Sequence, residues 1–115
     1  MATAYKILGQ VATATAGATT EATLYTVPSS TSTVVSSIVI TNQAAGAATY
    51  RIAVQPSADA GSAATAKHFI VYGATVAASD TTILTVGLTL ATGDRLRIFG
   101  SSATMSFSAY GSEIS

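Results

Sequence analysis

The sequence predicts an all-β fold, a single antiparallel β-sandwich or jelly roll of about eight short strands that occupies residues 1–115. The length of 115 residues suits one domain and is too short for two. Segments with alternating apolar and polar side chains recur along the chain, and clusters of Gly, Pro, Asn, Asp and Ser separate them. A helical fold is disfavoured because Thr, Ser, Val and Gly interrupt the Ala-rich stretches, so that no apolar stripe with the helical period persists.

The clearest strand signal lies in residues 49–55. Tyr50, Ile52 and Val54 alternate there with polar side chains, which predicts a half-buried strand. Arg51 belongs to the polar set, and we expect it to face outward.

A second strand signal covers residues 33–41, where β-branched residues dominate. Strict alternation places apolar side chains on both faces of this strand. Such a strand is expected to be covered on both sides, for example at a subunit contact. One face carries Val34, Ile38 and Ile40, and the other carries Val35 and Val39.

Six further segments have strand-like patterns, and turn-forming residues bound them. These segments are residues 5–10, 23–27, 68–72, 81–86, 95–99 and 105–110. Residues 58–66 could form a single helical turn, since Gly61 argues against more. Residues 11–20 carry no large side chain except Val11, so we expect them to form a flexible loop or an arm that orders on a neighbouring subunit.

The surface is expected to be unusually neutral. Only 9% of the residues are charged, against roughly 25% in an average soluble domain, and the formal net charge is zero. Ser, Thr, Ala and Gly must therefore cover most of the surface, which favours stable self-association or docking. The alternative is a monomer with a neutral surface.

The cysteine count and the hydropathy pattern bear on localisation. Without cysteine the chain has no disulfide framework and no thiolate metal ligand, which is compatible with folding in a reducing cytoplasm. Residues 1–10 contain no apolar run long enough for a signal peptide. The longest charge-free interval, between Glu21 and Arg51, is broken by Pro28 and by many hydroxyl residues, so we expect no membrane segment and no membrane partner.

Catalysis requires titratable groups that come together, and the sequence offers few of them. His68 is the only histidine, and the five acids are far apart in the sequence. No spacing matches a metal-ligand motif or a nucleophile elbow. We therefore expect no catalytic residue, no metal site and no enzymatic activity, and we interpret His68 as a surface or interface residue with a structural hydrogen bond. The acids are Glu21, Asp59, Asp80, Asp94 and Glu113.

Other ligand classes have little support. Neither a dinucleotide-binding fingerprint nor a phosphate-binding loop occurs, so no cofactor is expected. Arg95 and Arg97 should project from one face of a strand, but two cations are too few to predict nucleic-acid binding. With 7% aromatic residues and no Trp, the tyrosines are better interpreted as core or interface residues than as a glycan platform. They are Tyr5, Tyr25, Tyr50, Tyr72 and Tyr110.

Three parts of the chain carry a resemblance to a known group of proteins. They are residues 5–10 (YKILGQ), residues 24–28 (LYTVP) with residues 34–42 (VVSSIVITN), and residues 107–114 (FSAYGSEI). Together they resemble small virion structural proteins of tailed bacteriophages, especially cyanophages. Residues 50–54 and 78–81 are similar as well, and none of these segments is catalytic.

The resemblance implies a β-sandwich that forms a homotrimer on the virion, after assembly in the host cytoplasm. Within this group, the expected function is a capsid decoration, or cement, protein that stabilises the shell through contacts with its own copies and the major capsid protein. A neck, baseplate or tail-fibre module is the first alternative. The second alternative is a receptor-binding or glycan-binding head that uses exposed tyrosines and Asn42 or Gln43.

Overall fold

The chain folds into the predicted strands in a computed structural model that describes residues 2–12, 22–59, 63–102 and 104–115. Each segment predicted as a strand contains one. The strands are β1 (Thr3–Ala12), β2 (Ala22–Thr26), β3 (Ser32–Asn42), β4 (Ala48–Gln55), β5 (Phe69–Val76), β6 (Asp80–Leu90), β7 (Arg95–Gly100) and β8 (Met105–Ile114). In place of the single helical turn predicted for residues 58–66, two short 3-10 turns, Ser57–Asp59 and Ala66–His68, lie near the ends of that segment.

The strands form two antiparallel sheets that pack face to face. The first sheet has the order β1-β8-β3-β6, and the second has the order β2-β7-β4-β5. All consecutive strands except β4 and β5 lie in different sheets. This arrangement is that of a jelly roll, so the predicted fold class is confirmed. Among the described residues, no helix has the length and hydropathy needed to cross a membrane.

The hydrophobic core lies between the two sheets. Tyr50 and Phe107 meet there edge to face, with ring centroids 6.3 Å apart. As predicted, Tyr50 and Ile52 are buried and Val54 packs against the same core, whereas Arg51 lies on the outer side of β4. The large side chains with almost no exposed surface include Val35, Ile38, Ile40, Ile52, Val76, Leu96, Ile98, Met105 and Phe107.

A β-bulge in β3 reverses the predicted alternation of its first half. The pairing of β3 with both of its neighbours skips Ser36, which lies between Val35 and Ser37. One extra residue turns the following side chains to the other face of the sheet. Val35 therefore lies in the core with Ile38, whereas Val34 faces outward, so the predicted placement of these two valines was wrong.

A second irregularity lies in β6, opposite this bulge. The predicted strand ended before Gly87, but β6 continues to Leu90. Gly87 has a φ of 63°, in the left-handed region that glycine adopts without strain. It lies where the register between β3 and β6 shifts. The glycine thus marks a bulge within a strand and not its end.

The first strand is longer than predicted. Val11 and Ala12 pair with Phe107 and Ser106 of β8, so they extend β1. The prediction of a loop or arm over residues 11–20 was therefore wrong for Val11 and Ala12, because backbone pairing does not require large side chains. The rest of that prediction, residues 13–20, falls outside the described residues.

Gly111 lies where β8 passes close to β3. A Cβ atom built on it would overlap the carbonyl oxygen of Val34 and lie 3.0 Å from the Cα atom of Val35. These are backbone atoms of a paired strand, so Gly111→Ala is expected to lower the free energy of unfolding by about 1–3 kcal/mol, measured by urea denaturation. Gly46→Ala is the control, because no described atom lies within 4 Å of a Cβ at that exposed loop position. Equal midpoints for the two variants would contradict this account.

Candidate assembly faces and binding cavity

The outer face of the first sheet carries no charged side chain among the described residues. The register places the outward residues of β1, β8, β3 and β6 side by side. This surface, termed the neutral face, consists of apolar side chains with Ser, Thr and Gln between them. Its apolar members include Tyr5, Ile7, Val34, Val39, Ile83 and Tyr110.

Three side chains of the neutral face are unusually exposed for their type. Tyr5 is 87% exposed, Ile83 is 67% exposed and Ile7 is 53% exposed. Val39 and Tyr110 are half-buried and lie on the two strands between them. Contiguous exposed apolar surface of this kind is typical of a contact site.

The neutral face is close in area to one side of a standard protein interface. Four strands about 4.8 Å apart, with a rise of about 3.4 Å per residue over the 10 residues of β8, give a flat area of about 19 by 34 Å. A standard protein interface buries about 800 Å² on each partner. The face approaches that area before the relief of its side chains is counted.

The outer face of the second sheet has a different character. Arg51 of β4 and both arginines of β7, Arg95 and Arg97, lie on it. The prediction that the two β7 arginines share a strand face is therefore confirmed. This surface is termed the cationic face. Arg97 Nη1 donates a hydrogen bond to Gln55 Oε1 over 3.3 Å. Gln55 is fully buried, although the predicted alternation placed it on the polar side of the strand.

Arg51 is held between two aromatic rings. Its guanidinium carbon lies 4.2 Å from the ring centroid of Tyr72 on β5 and 4.6 Å from the ring centroid of Phe99 on β7. The rings flank Arg51 because β4 lies between β5 and β7, and the register places all three residues side by side. Each ring attracts the cation, so this charged side chain is fixed by packing.

An open cavity of about 540 Å³ lies beside this guanidinium. Within residues 2–12, 22–59, 63–102 and 104–115, no carboxylate pairs with Arg51 and no acceptor takes a hydrogen bond from its guanidinium. The cavity thus combines a fixed cation with walls that are partly apolar and partly polar, as ligand sites commonly do. Its lining residues are Arg51, Ala64, Thr65, Ala66, Phe69 and Tyr72.

His68 forms the structural hydrogen bond that the sequence predicted, but it is buried and not on the surface, with 5% of its area exposed. Its Nε2 lies 2.9 Å from Oδ2 of Asp59, and its Nδ1 accepts the backbone N–H of Thr65 over 2.9 Å. The neutral ring therefore carries its proton on Nε2, which donates to Asp59. This hydrogen bond and the neighbouring Lys67 ammonium hold the pKa of Asp59 below its ordinary value.

Thr65, His68 and Asp59 have the composition of a nucleophilic triad but not its chemistry. The Thr65 hydroxyl lies 3.4 Å from His68 Nδ1, yet that nitrogen already accepts the Thr65 backbone N–H. A general base needs a free lone pair toward the nucleophile, so the three residues fasten the segment between β4 and β5 instead. Because both ring nitrogens have partners, His68 can be buried without an unpaired polar group, which is why its predicted surface position was wrong.

The acids do not come together in the part of the chain that the structure describes. No group of three His, Cys, Asp or Glu side chains suited to holding a metal ion occurs there. Asp59 is nine positions from His68, and Glu113 contacts a different set of residues. The structure therefore brings two acids into separate networks that the sequence did not predict.

The Glu113 network joins the two sheets. Tyr25 on β2 donates its hydroxyl hydrogen to Glu113 Oε2 over 2.5 Å, and its oxygen lies 2.7 Å from the Thr33 hydroxyl. Lys6 Nζ lies 3.1 Å from the other Glu113 oxygen. Burial and the hydrogen bond with Glu113 raise the pKa of Tyr25 to about 12, and the same hydrogen bond lowers the pKa of Glu113.

The Glu113 carboxylate makes the stability of the fold depend on pH. Because its pKa in the folded protein is below the ordinary value of 4.5, its contribution is present above pH 4.5 and is lost as the pH falls through the folded pKa. We expect the urea midpoint to fall as the pH drops from about 4.5 toward about 2, and to fall less steeply in Glu113→Gln. Asp80→Asn removes a carboxylate outside this network and is the matched control. If the urea midpoint of Glu113→Gln changed with pH as steeply as that of the parent protein, the role assigned to Glu113 would be contradicted.

The residues considered for a receptor site are separated in the fold. Asn42 is fully buried, and its amide forms hydrogen bonds with four backbone groups, so its predicted use in receptor contact was wrong. Gln43, Tyr5 and Tyr72 are exposed, but Tyr5 and Tyr72 lie on the outer faces of different sheets. These side chains do not form one platform.

Comparisons with known proteins add a likeness of fold. No protein-family model matches the chain, and no curated protein matches it. The chain is similar to a chain in the structure of the infectious bursal disease virus Gx strain, with a TM-score of 0.52 and 15% sequence identity. The match covers 97% of this chain and 31% of that chain. At this level of identity the likeness concerns the fold alone.

Proposed function

We propose that this chain is a non-enzymatic structural protein of a tailed-bacteriophage virion, and that it decorates the capsid as a homotrimer. The neutral face carries the proposal, because an exposed apolar face without charges is suited to burial against other subunits. Jelly rolls recur in viral capsid domains, and the fold is similar to that of a chain from a virus structure. Binding to the assembled shell would stabilise it by linkage.

The occupant of the neutral face is a further copy of this chain. The face has exposed apolar groups on its two edge strands, with Tyr5 and Ile7 on β1 and Ile83 on β6. When β1 of one copy packs against β6 of the next, the contact is heterologous, and such contacts close into a trimeric ring when successive copies are related by a threefold rotation. Because the face carries no charge among its described residues, two copies meet without like-charge repulsion.

A substitution on the neutral face tests the trimer. Ile83→Lys places an ammonium in the contact and is expected to weaken trimerisation by about tenfold or more, since it removes the burial of an isoleucine and adds an unpaired charge. Native mass spectrometry and light scattering at micromolar concentration measure the oligomer. Ile70→Lys is the matched control, because Ile70 is 44% exposed on β5, outside the neutral face. A monomeric parent protein, or equal loss in both variants, would reject this interface.

Copy number tests the position on the virion. Quantitative mass spectrometry of purified particles should find this chain at a stoichiometry comparable to that of the major capsid protein. A few copies per particle, in a small multiple of three or six, would reject capsid decoration and support a neck, baseplate or tail-fibre module. Both outcomes are compatible with the fold, so only the count separates them.

A receptor-binding or glycan-binding head is the candidate from another functional class. The exposed Tyr72 ring beside the Arg51 cavity favours it, because aromatic rings can stack on sugars. Binding of the isolated protein to host-surface polysaccharide would support this function. Absence of binding across a broad glycan panel would reject it.

A further inference from the structure

We infer that the cavity beside Arg51 binds a carboxylate side chain from an acidic, extended segment of another protein chain. The identity of that chain as a neighbouring virion protein rests on the proposed function, whereas the chemistry of the site rests on its own geometry. The cationic face would then dock the trimer that the neutral face assembles.

The first argument is the state of the Arg51 side chain. Tyr72 and Phe99 hold its guanidinium at 4.2 and 4.6 Å from their ring centroids. A planar guanidinium fixed in this way can form two parallel hydrogen bonds with a carboxylate. Because the side chain is already ordered, little conformational entropy is lost when the ligand binds.

The second argument is the charge around the cavity. Arg51, Arg95 and Arg97 lie on the cationic face. The nearby carboxylate of Asp59 is already engaged by His68 and Lys67. The surroundings are therefore net positive and favour an anionic partner.

The third argument favours a peptide over an acidic sugar. The cavity includes Phe69 and Tyr72 of β5, and β5 is an edge strand of the second sheet. In the described part of the chain, β5 pairs only with β4, so its other edge can accept an extended segment. Strand addition of this kind supplies backbone hydrogen bonds, while side-chain pockets supply specificity. An acidic sugar would use the arginine but not the strand edge.

The test uses the full chain and two short labelled peptides, in which a central Glu or Gln is flanked by β-branched residues. Fluorescence anisotropy at physiological salt should show that the Gln peptide binds at least about tenfold more weakly than the Glu peptide. Arg51→Gln should weaken binding of the Glu peptide by a similar factor, and Arg51→Lys should give an intermediate loss, because it keeps the charge without the planar fork.

Matched controls separate a built site from general attraction. Arg95→Gln removes the same charge from the same face but outside the cavity, and it should change binding by less than about twofold. Equal losses in Arg51→Gln and Arg95→Gln would overturn the site. Binding of a uronate oligosaccharide without binding of the Glu peptide, or binding of neither, would also overturn it. Thermal melts confirm that each variant is folded, and the trimer and copy-number results do not depend on this outcome.

Discussion

Phe107→Ala is expected to lower the free energy of unfolding by about 3–5 kcal/mol. Phe107 has no exposed surface, lies on β8 opposite Ile40 and Val11, and contacts the Tyr50 ring edge to face. Its removal takes away apolar burial and leaves a cavity between the sheets that the paired strands cannot close. A domain of this size has a total stability of about 5–15 kcal/mol, so a large share would be lost.

Urea denaturation followed by circular dichroism would measure this loss, with the slope of the transition checked for constancy. Tyr5→Ala is the control, because it also removes an aromatic ring but from a side chain that is 87% exposed. That variant should stay within about 0.5 kcal/mol of the parent protein under conditions where it is monomeric. Similar losses in the two variants would show that Phe107 is not at the centre of the core.

Much of the fold follows from local patterns, and the error in β3 has a clear physical cause. The alternation of Tyr50, Ile52 and Val54 identified β4 and its inner side, because one side of that strand packs against the core without interruption. The placement of Val34 and Val35 failed because a bulge adds one residue and inverts the pattern. A bulge depends on the partner strands, and a local segment of the sequence does not specify which strands those are.

The candidate surfaces were harder to predict from the sequence, because they also depend on which strands are neighbours in the sheets. Low charge predicted a neutral surface, but only the register shows that, among the residues described, the outer face of one sheet carries no charged side chain. The outward direction of Arg51 was predicted. Its contacts with two aromatic rings were not, because those rings come from the strands on either side of β4. The contact between Tyr25 and Glu113 joins residues that are 88 positions apart. Short-range contacts, such as those of His68 with Thr65 and of Asn42 with Ala44, were the local signals that could have been used.

Asn42→Ala is expected to lower the free energy of unfolding by about 3 kcal/mol, because two N–H groups and one oxygen of the side chain form three hydrogen bonds that contribute about 1 kcal/mol each. Asn42 Nδ2 lies 2.9, 3.2 and 3.2 Å from the carbonyl oxygens of Gly46, Val76 and Ala77, so its two N–H groups donate to three acceptors and one of them is shared. Oδ1 accepts the backbone N–H of Ala44 over 3.0 Å. The side chain thus ties the loop after β3 to the end of β5. Without it, partly buried backbone groups lose their partners.

The two interpretations of Asn42 predict different results. If Asn42 contacted a receptor, its substitution would reduce ligand binding and leave stability unchanged. If its buried hydrogen bonds hold the loop in place, its substitution lowers the urea midpoint. Gln43→Ala, at the exposed neighbouring position, should leave the midpoint within about 0.5 kcal/mol of the parent protein. At neutral pH, Asn42→Asp should lower the free energy of unfolding more than Asn42→Ala does, since a carboxylate would face three carbonyl oxygens. Acidification should reduce the difference between the two variants as the carboxylate is protonated. If both Asn42 variants were as stable as the parent protein, the stabilising role of the buried Asn42 hydrogen bonds would be refuted.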